Sequence, residues 1–195
     1  MARVLDALQR LDRALDETDE VLRLQTGRLR LRVAPADLVE VARAAQAMVA
    51  GRALPPHRYE LVAPRGGLVG RWDGPRLTGA LAALLDNAAR YSPPHSLVRL
   101  TIQHQGEQAL LRVRDKGRGI PPDEQPHLGE PFFRGRLSEG SGLGLGLYLA
   151  RAIVRLHGGR LGLEYSGADG SVFRVQLPLR GRAGAPRRTA LRARA

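Results

Sequence analysis

Asp115, in the segment RVRDKGRGIPP from Arg112 to Pro122, stands where an alternating strand-like stretch meets a glycine-bearing turn. Its carboxylate can point into a cleft there, while Gly117 and Gly119 let the backbone approach a flat ring. A carboxylate only accepts hydrogen bonds, so it suits the exocyclic amine of adenine better than the carbonyl of guanine. An ordinary Asp-Gly turn would account for the same residues. A phosphate cradle is suggested further on, where EGSGLGLGLYLARAIVRLHGG, Glu139 to Gly159, runs from glycines directly into an apolar helix pattern. Glycines let N–H groups converge on an anion, and a helix start adds partial positive charge. Upstream, in LLDNAARYS, Asn87 shares a helical face with Leu81, Leu84, Leu85 and Ala88. A half-buried amide there needs a partner, and its oxygen can ligate Mg²⁺. Arg90, one turn along, can reach phosphate, and Tyr91 can lie against a base or ribose. A helix C-terminal charge and a half-buried aromatic are the competing explanations for these two. No strand runs directly into the glycines and GK[ST] is absent, which excludes the Rossmann and Walker A patterns.

With EPFFRG, Glu130 to Gly135, these segments form an ordered set of four. The set resembles the N, G1, F and G2 boxes of the catalytic ATP-binding domain of sensor histidine kinases. That domain belongs to the ATPase group that includes DNA gyrase, MutL mismatch-repair proteins and the ninety-kilodalton heat-shock chaperone. The resemblance covers about Asp37 to Leu179. It implies ATP and Mg²⁺ as ligands, with Asn87 on the metal, Asp115 on adenine N6, and Arg90, Tyr91, Gly117, Gly119 and Ile120 around the nucleotide. It adds Phe133 and Arg134 from the lid, whose aromatics, Phe132 among them, pack it in the family. The cradle residues are Gly140, Ser141, Gly142, Leu143, Gly144 and Leu145, with the leucines anchoring the helix. The implied enzyme is a protein histidine kinase of a two-component system, whose partners are a His-bearing dimerisation domain and a response regulator. Anti-sigma-type serine kinases share the fold, and a non-catalytic nucleotide-binding module that regulates a partner is a further reading.

This chain departs from the family pattern at three places. Ala83 stands four residues before Asn87, where gyrase-like members place a water-activating Glu and histidine kinases commonly an Asn. Alanine neither takes a proton nor positions a water, so efficient hydrolysis is not expected. Gly146 replaces the usual Ala or Ser, which loosens a helix start. His57, His95, His104, His127 and His157 all lie outside a dimerisation hairpin, so the phosphoacceptor is expected on another polypeptide or an upstream region, and self-labelling is not expected.

The elements that must position these residues follow from periodicity. Val4, Leu8, Leu11, Leu15 and Leu22 recur at heptad spacing with Thr18 as one polar interruption, which predicts a pairing helix over 1–26 and a homodimer through 4–22. RLRLRV from Arg28 alternates as a linker strand within 27–36, and Asp37 caps a second helix running to about Ala50. Two short strands follow, in RYELVA and GLVGRW. A helix then opens at Asp73-Gly74-Pro75 and runs through Arg90, where Pro93 and Pro94 stop it. Strands are expected over 97–103 and 109–114, a lid loop over 121–141, a helix from Leu143 to His157, and strands over 160–165 and 172–177. The sum is α+β: a two-layer sandwich of a mixed, mostly antiparallel sheet against three helices, spanning 37–180.

Composition narrows the alternatives. At 195 residues the chain suits one core with short appendages, and having no cysteine it lacks disulfides, thiolate chemistry and Cys-ligated zinc. Apolar stretches such as LTGALAALL from Leu77 fall short of the ~20 residues of a membrane span, and no leader opens the chain, so a cytoplasmic location is expected. The net charge of +12 would ordinarily suggest nucleic acid or an anionic membrane. Five arginines fall in the last fifteen residues, however, and all but one of the 31 basic residues are Arg, many of them alternating along strands. Compositional bias and a solvated surface explain this pattern, so nucleic acid is not an expected partner, and 181–195 reads as a disordered basic tail.

Overall fold

The computed structural model describes residues 2–50, 56–136 and 142–180, except the side chains of 2–7, 9, 10 and 13. In chain order it contains α1 (Ala2–Gln25), β1 (Ala34–Asp37), α2 (Leu38–Ala50), β2 (Arg58–Val62), β3 (Val69–Trp72), α3 (Gly74–Arg90), β4 (Leu97–Gln105) and β5 (Gln108–Arg114). After a 3₁₀ turn at Gln125–His127 come α4 (Gly146–Leu156), β6 (Arg160–Gly167) and β7 (Gly170–Pro178). The tail, Gly140 and Ser141 lie outside the described residues.

Five strands form one sheet in the order β2-β4-β5-β7-β6, with β2 parallel to β4 and the other neighbours antiparallel. Strand alternation sends Val98, Leu100 and Ile102 of β4, Leu111 and Val113 of β5, and Phe173, Val175 and Leu177 of β7 into one core. The facing layer is α2, α3 and α4, which contribute Leu38, Ala45, Leu77, Leu81, Leu85 and Ile153 among others. The expected two-layer α+β sandwich is what forms. On the sheet's other face the alternating arginines make surface ion pairs, Arg99 to Glu60 at 2.7 Å and Arg112 to Glu164 at 2.8 Å. Exposed pairs of this kind contribute little stability and fit a solvated surface.

Two boundaries differ from the sequence reading. Arg28–Val33 keeps its in-and-out alternation, with Leu29 buried, but forms no ladder. Its backbone is claimed elsewhere: the N–H of Leu29 donates to Arg23 O and that of Arg32 to Asp73 Oδ2. Pairing starts only at Ala34 opposite Trp72. The last helix begins at Gly146 and not at Leu143, because Gly144 sits at φ +70°, which no right-handed helix admits.

One buried network ties α3 to α4. Asp73 caps α3 by accepting from Arg76 N at 3.2 Å, and Pro75 fits the first turn, where no N–H is needed. The N–H of Asp73 donates to Nε2 of His157 at 2.9 Å, and Nδ1 of that ring lies 2.8 Å from Ile153 O. His157 therefore uses its neutral form, donating at Nδ1 and accepting at Nε2. Burial, the largest cause, pushes its pKa below 6.5, with Arg76 in the same sense and Ile153 and Asp73 opposing. The folded state thus takes up a proton less readily than the unfolded chain. Stability should be full above pH about 6.5 and fall as pH drops below it. Replacement His157→Leu should cost about 1–3 kcal/mol at pH 7.5 by orphaning the Asp73 N–H. The gap to wild type should narrow toward pH 5.5 in denaturant titrations, and a constant gap would contradict the neutral-ring assignment.

Candidate functional site

The end of β5 and the turn after it form one wall of the site. Asp115 is buried, and its Oδ1 accepts from Gly117 N at 2.8 Å and Ser171 N at 2.9 Å. Oδ2 carries neither bond, and Asp115 lines the large cleft of the molecule. Burial raises the pKa of this carboxyl, opposed by those two N–H donors and by Arg114. Gly117 is required by packing, since a Cβ there would stand 2.6 Å from Tyr91 O. Serines hold the rest of the turn: Ser92 Oγ accepts from Lys116 N at 3.1 Å and Ser166 Oγ from Ile120 N at 2.7 Å.

The cleft has a volume of about 1110 Å³. Its floor is the α3 face bearing Ala83, Asn87, Arg90 and Tyr91, in keeping with helical spacing. Arg90 is held by Asp86, Nη2 to Oδ2 at 2.9 Å. The start of α4 lines the same cleft, and its first residue comes so close to α3 that a Cβ on Gly146 would be 3.6 Å from Ala83 Cβ. The two positions that depart from the family pattern therefore face each other. Among the described residues no side chain caps this helix start, which leaves its first N–H groups to meet a ligand. The lid covers the cleft with Leu128, Phe133 and Arg134, and Glu124 Oε1 accepts from Arg136 N at 3.0 Å to shape its turn.

Asn87, Arg90, Tyr91, Asp115, Gly117, Gly119, Ile120, Phe133, Arg134, Gly142, Leu143, Gly144 and Leu145 all line this one cleft. Two leucines of the glycine run divide their roles. Leu145 is buried against Leu149 and Val21 and anchors the helix start, whereas Leu143 is 43% exposed. Phe133 packs its ring 5.5 Å from His127, while Phe132 is 64% exposed at φ +64°. The sequence reading missed Ser92, Ser166 and Ser171, and it missed the acidic flank that α1 brings: Asp16, Glu17 and Glu20 line the same cleft.

Residues 72–181 match the family model described as histidine kinase-, DNA gyrase B- and HSP90-like ATPase. The chain belongs to this ATPase family. It is 32% identical over 179 residues, 89% of its length, to the alginate biosynthesis sensor protein KinB of Pseudomonas aeruginosa, of which it spans 29%. Among solved structures, the mycobacterial sensor histidine kinase MprB is similar at 30% identity and a TM-score of 0.67, covering 76% of this chain and 100% of that one. Full-length ShkA, solved in complex with AMPPNP, shares the fold at 23% identity and a TM-score of 0.70, over 90% of this chain and 38% of its own. This is a catalytic ATP-binding domain of the histidine-kinase type. Among the described residues no helix is long and apolar enough to cross a membrane.

Proposed function

We propose that this domain binds ATP between α3 and the lid and delivers the γ-phosphoryl group to a histidine on another polypeptide or on a region upstream of the hairpin helix. The observation that carries this reading is the pairing of a buried acceptor, Asp115, with an uncapped helix start, α4, across one cleft. Adenine lies at Asp115, where Oδ2 accepts from its amine. The triphosphate runs past Asn87 toward the N–H groups around Gly144, Leu145 and Gly146. Gly140 and Ser141 belong to the same glycine run and are assigned to the triphosphate with it.

The described residues hold no group of three His, Asp or Glu that could cage a metal alone. Asn87 with phosphate oxygens fits Mg²⁺, which keeps few protein ligands. When bound, Mg²⁺ neutralises phosphate charge. Arg90 lines the cleft and supplies positive charge by exchanging Asp86 for phosphate. Ala83 offers no base to an attacking water, so the site positions ATP for transfer and wastes little by hydrolysis. Leu8, Leu11, Leu15 and Leu22 are all more than half exposed, which supports pairing of two copies through α1. A response regulator as the downstream acceptor follows from the same reading.

Incubation with γ-labelled ATP tests the transfer. The chain alone should show no self-label and only slow hydrolysis, while a supplied His-bearing hairpin from its own system should acquire acid-labile, base-stable label. Acid-stable label on the partner would indicate a serine acceptor. Strong self-labelling would overturn the separate-acceptor assignment, and brisk hydrolysis would show that another group replaces the one missing at Ala83.

A further inference from the structure

A second hollow, of about 460 Å³, lies between α2 and the end of β2 and shares no lining residue with the nucleotide cleft. Helical spacing of four and three puts Val39, Arg43 and Gln46 on one stripe of α2, and Leu61, Ala63 and Arg65 close the hollow from the strand side. Val39 is buried, and Leu61 and Ala63 pack against the main core, so the fold itself fixes these walls.

Three donor groups meet in this hollow. Nε2 of Gln46 is buried and has no hydrogen-bond partner among the described residues. A buried donor without an acceptor is destabilising, and the two arginines beside it cannot supply one, because a guanidinium only donates. Arg43 pairs with Glu40, Nη1 to Oε1 at 2.6 Å, with the two side chains 63% and 64% exposed. Such a pair contributes little in water and yields to a stronger acceptor. Arg65, on the turn after β2, is exposed and makes no ion pair among the described residues. Among those residues no acid lines the hollow.

We propose that this hollow is a binding site for a small phosphate monoester, whose phosphate oxygens accept from Arg43, Arg65 and Gln46 Nε2 while its organic part lies on Val39, Leu61, Ala63 and Pro64. Charge favours phosphate over carboxylate. Two guanidiniums match a phosphate dianion, whereas a carboxylate leaves one of them unmatched. Volume favours an ester over free phosphate, since the hollow falls within the roughly 300–1,000 Å³ of small-molecule sites and one phosphate fills little of it. The site stands apart from the nucleotide reading and holds whether or not that reading does.

The test uses the full chain and three variants, Arg43→Ala, Arg65→Ala and Gln46→Met, the last of which keeps the length of the side chain and deletes its amide. Glycerol 3-phosphate, inorganic phosphate and acetate are titrated in turn, and binding is read from the Gln46 side-chain amide by NMR, or by calorimetry in Gln46→Met. Glycerol 3-phosphate should move that amide and bind more tightly than inorganic phosphate, with acetate weakest. Each arginine variant should weaken the ester about tenfold or more, and Gln46→Met about three- to tenfold. Without ligand, Gln46→Met should be at least as stable as wild type in thermal unfolding, because it removes a donor with nothing to meet, whereas the ester should raise the wild-type Tm more than the variant's. The amide's response should persist with Mg²⁺-AMPPNP present, and its loss there would move the phosphate to the nucleotide cleft and overturn the second site. An amide that no probe moves, an equal response to acetate, or a response that survives Arg65→Ala would overturn it as well. Inorganic phosphate binding as tightly as the ester would overturn the ester assignment.

Discussion

Asp115→Asn is expected to weaken ATP binding about ten- to a hundredfold, roughly 1.4–2.8 kcal/mol, while shifting Tm by no more than about 3 °C. The fold should tolerate the change because Oδ1 makes the structural bonds, accepting from Gly117 N and Ser171 N, and an asparagine oxygen can take over both. The amide nitrogen then stands where Oδ2 was, presenting a donor to adenine's own donor. Guanine offers a carbonyl at the matching place, so the preference for ATP over GTP should narrow. Wild-type binding should also fail at acid pH, and earlier than an ordinary carboxylate would predict, because burial raises the Asp115 pKa. The Asn variant should lack that step. Calorimetry with ATP and GTP reads each of these, and unchanged ATP affinity in a folded variant would remove Asp115 from base recognition.

How far the sequence could be read depended on whether a contact is local. Asp115 and Gly117 lie two residues apart, and Asn87, Arg90 and Tyr91 share a helix end, so spacing alone placed each group on one surface. Ser166 and Ser171 come from the β6–β7 hairpin, some fifty residues from the turn they support, and two serines beside a Gly-rich turn carry no periodic signal. The α1 helix shows a subtler limit. Its heptad stripe was legible, and Leu8, Leu11, Leu15 and Leu22 lie exposed, but the face that docks holds Ala14, Glu17 and Val21, of which one small and one charged residue leave Val21 alone with no apolar periodicity to register. The strand expected over Arg28–Val33 has the right alternation and no partner, because alternation reports which sides are buried and not which backbone lies alongside.

The glycine run offers the sharpest case, since Gly142 and Gly144 look equivalent as letters and differ in what surrounds them. Gly144 has φ +70°, and a Cβ there would stand 2.6 Å from Phe133 O and 2.9 Å from Phe132 C. Both obstacles are backbone, and Phe132 already sits in the left-handed region, so neither yields without moving the lid turn or the start of α4. Among the described residues a Cβ on Gly142 would meet nothing within 4 Å, and that residue is not held in the left-handed region. Gly144→Ala should therefore misplace the N–H groups at the α4 start and weaken AMPPNP binding more than about tenfold, with a local strain of roughly 1–3 kcal/mol. Gly142→Ala keeps its N–H and should stay within about twofold of wild type. Calorimetry on the two variants separates the causes. If both lose affinity equally, close approach of phosphate sets the need for glycine along the whole run; if only Gly144→Ala does, the need comes from the lid packed on its Cα, and the lid and the phosphate cradle are mechanically one piece.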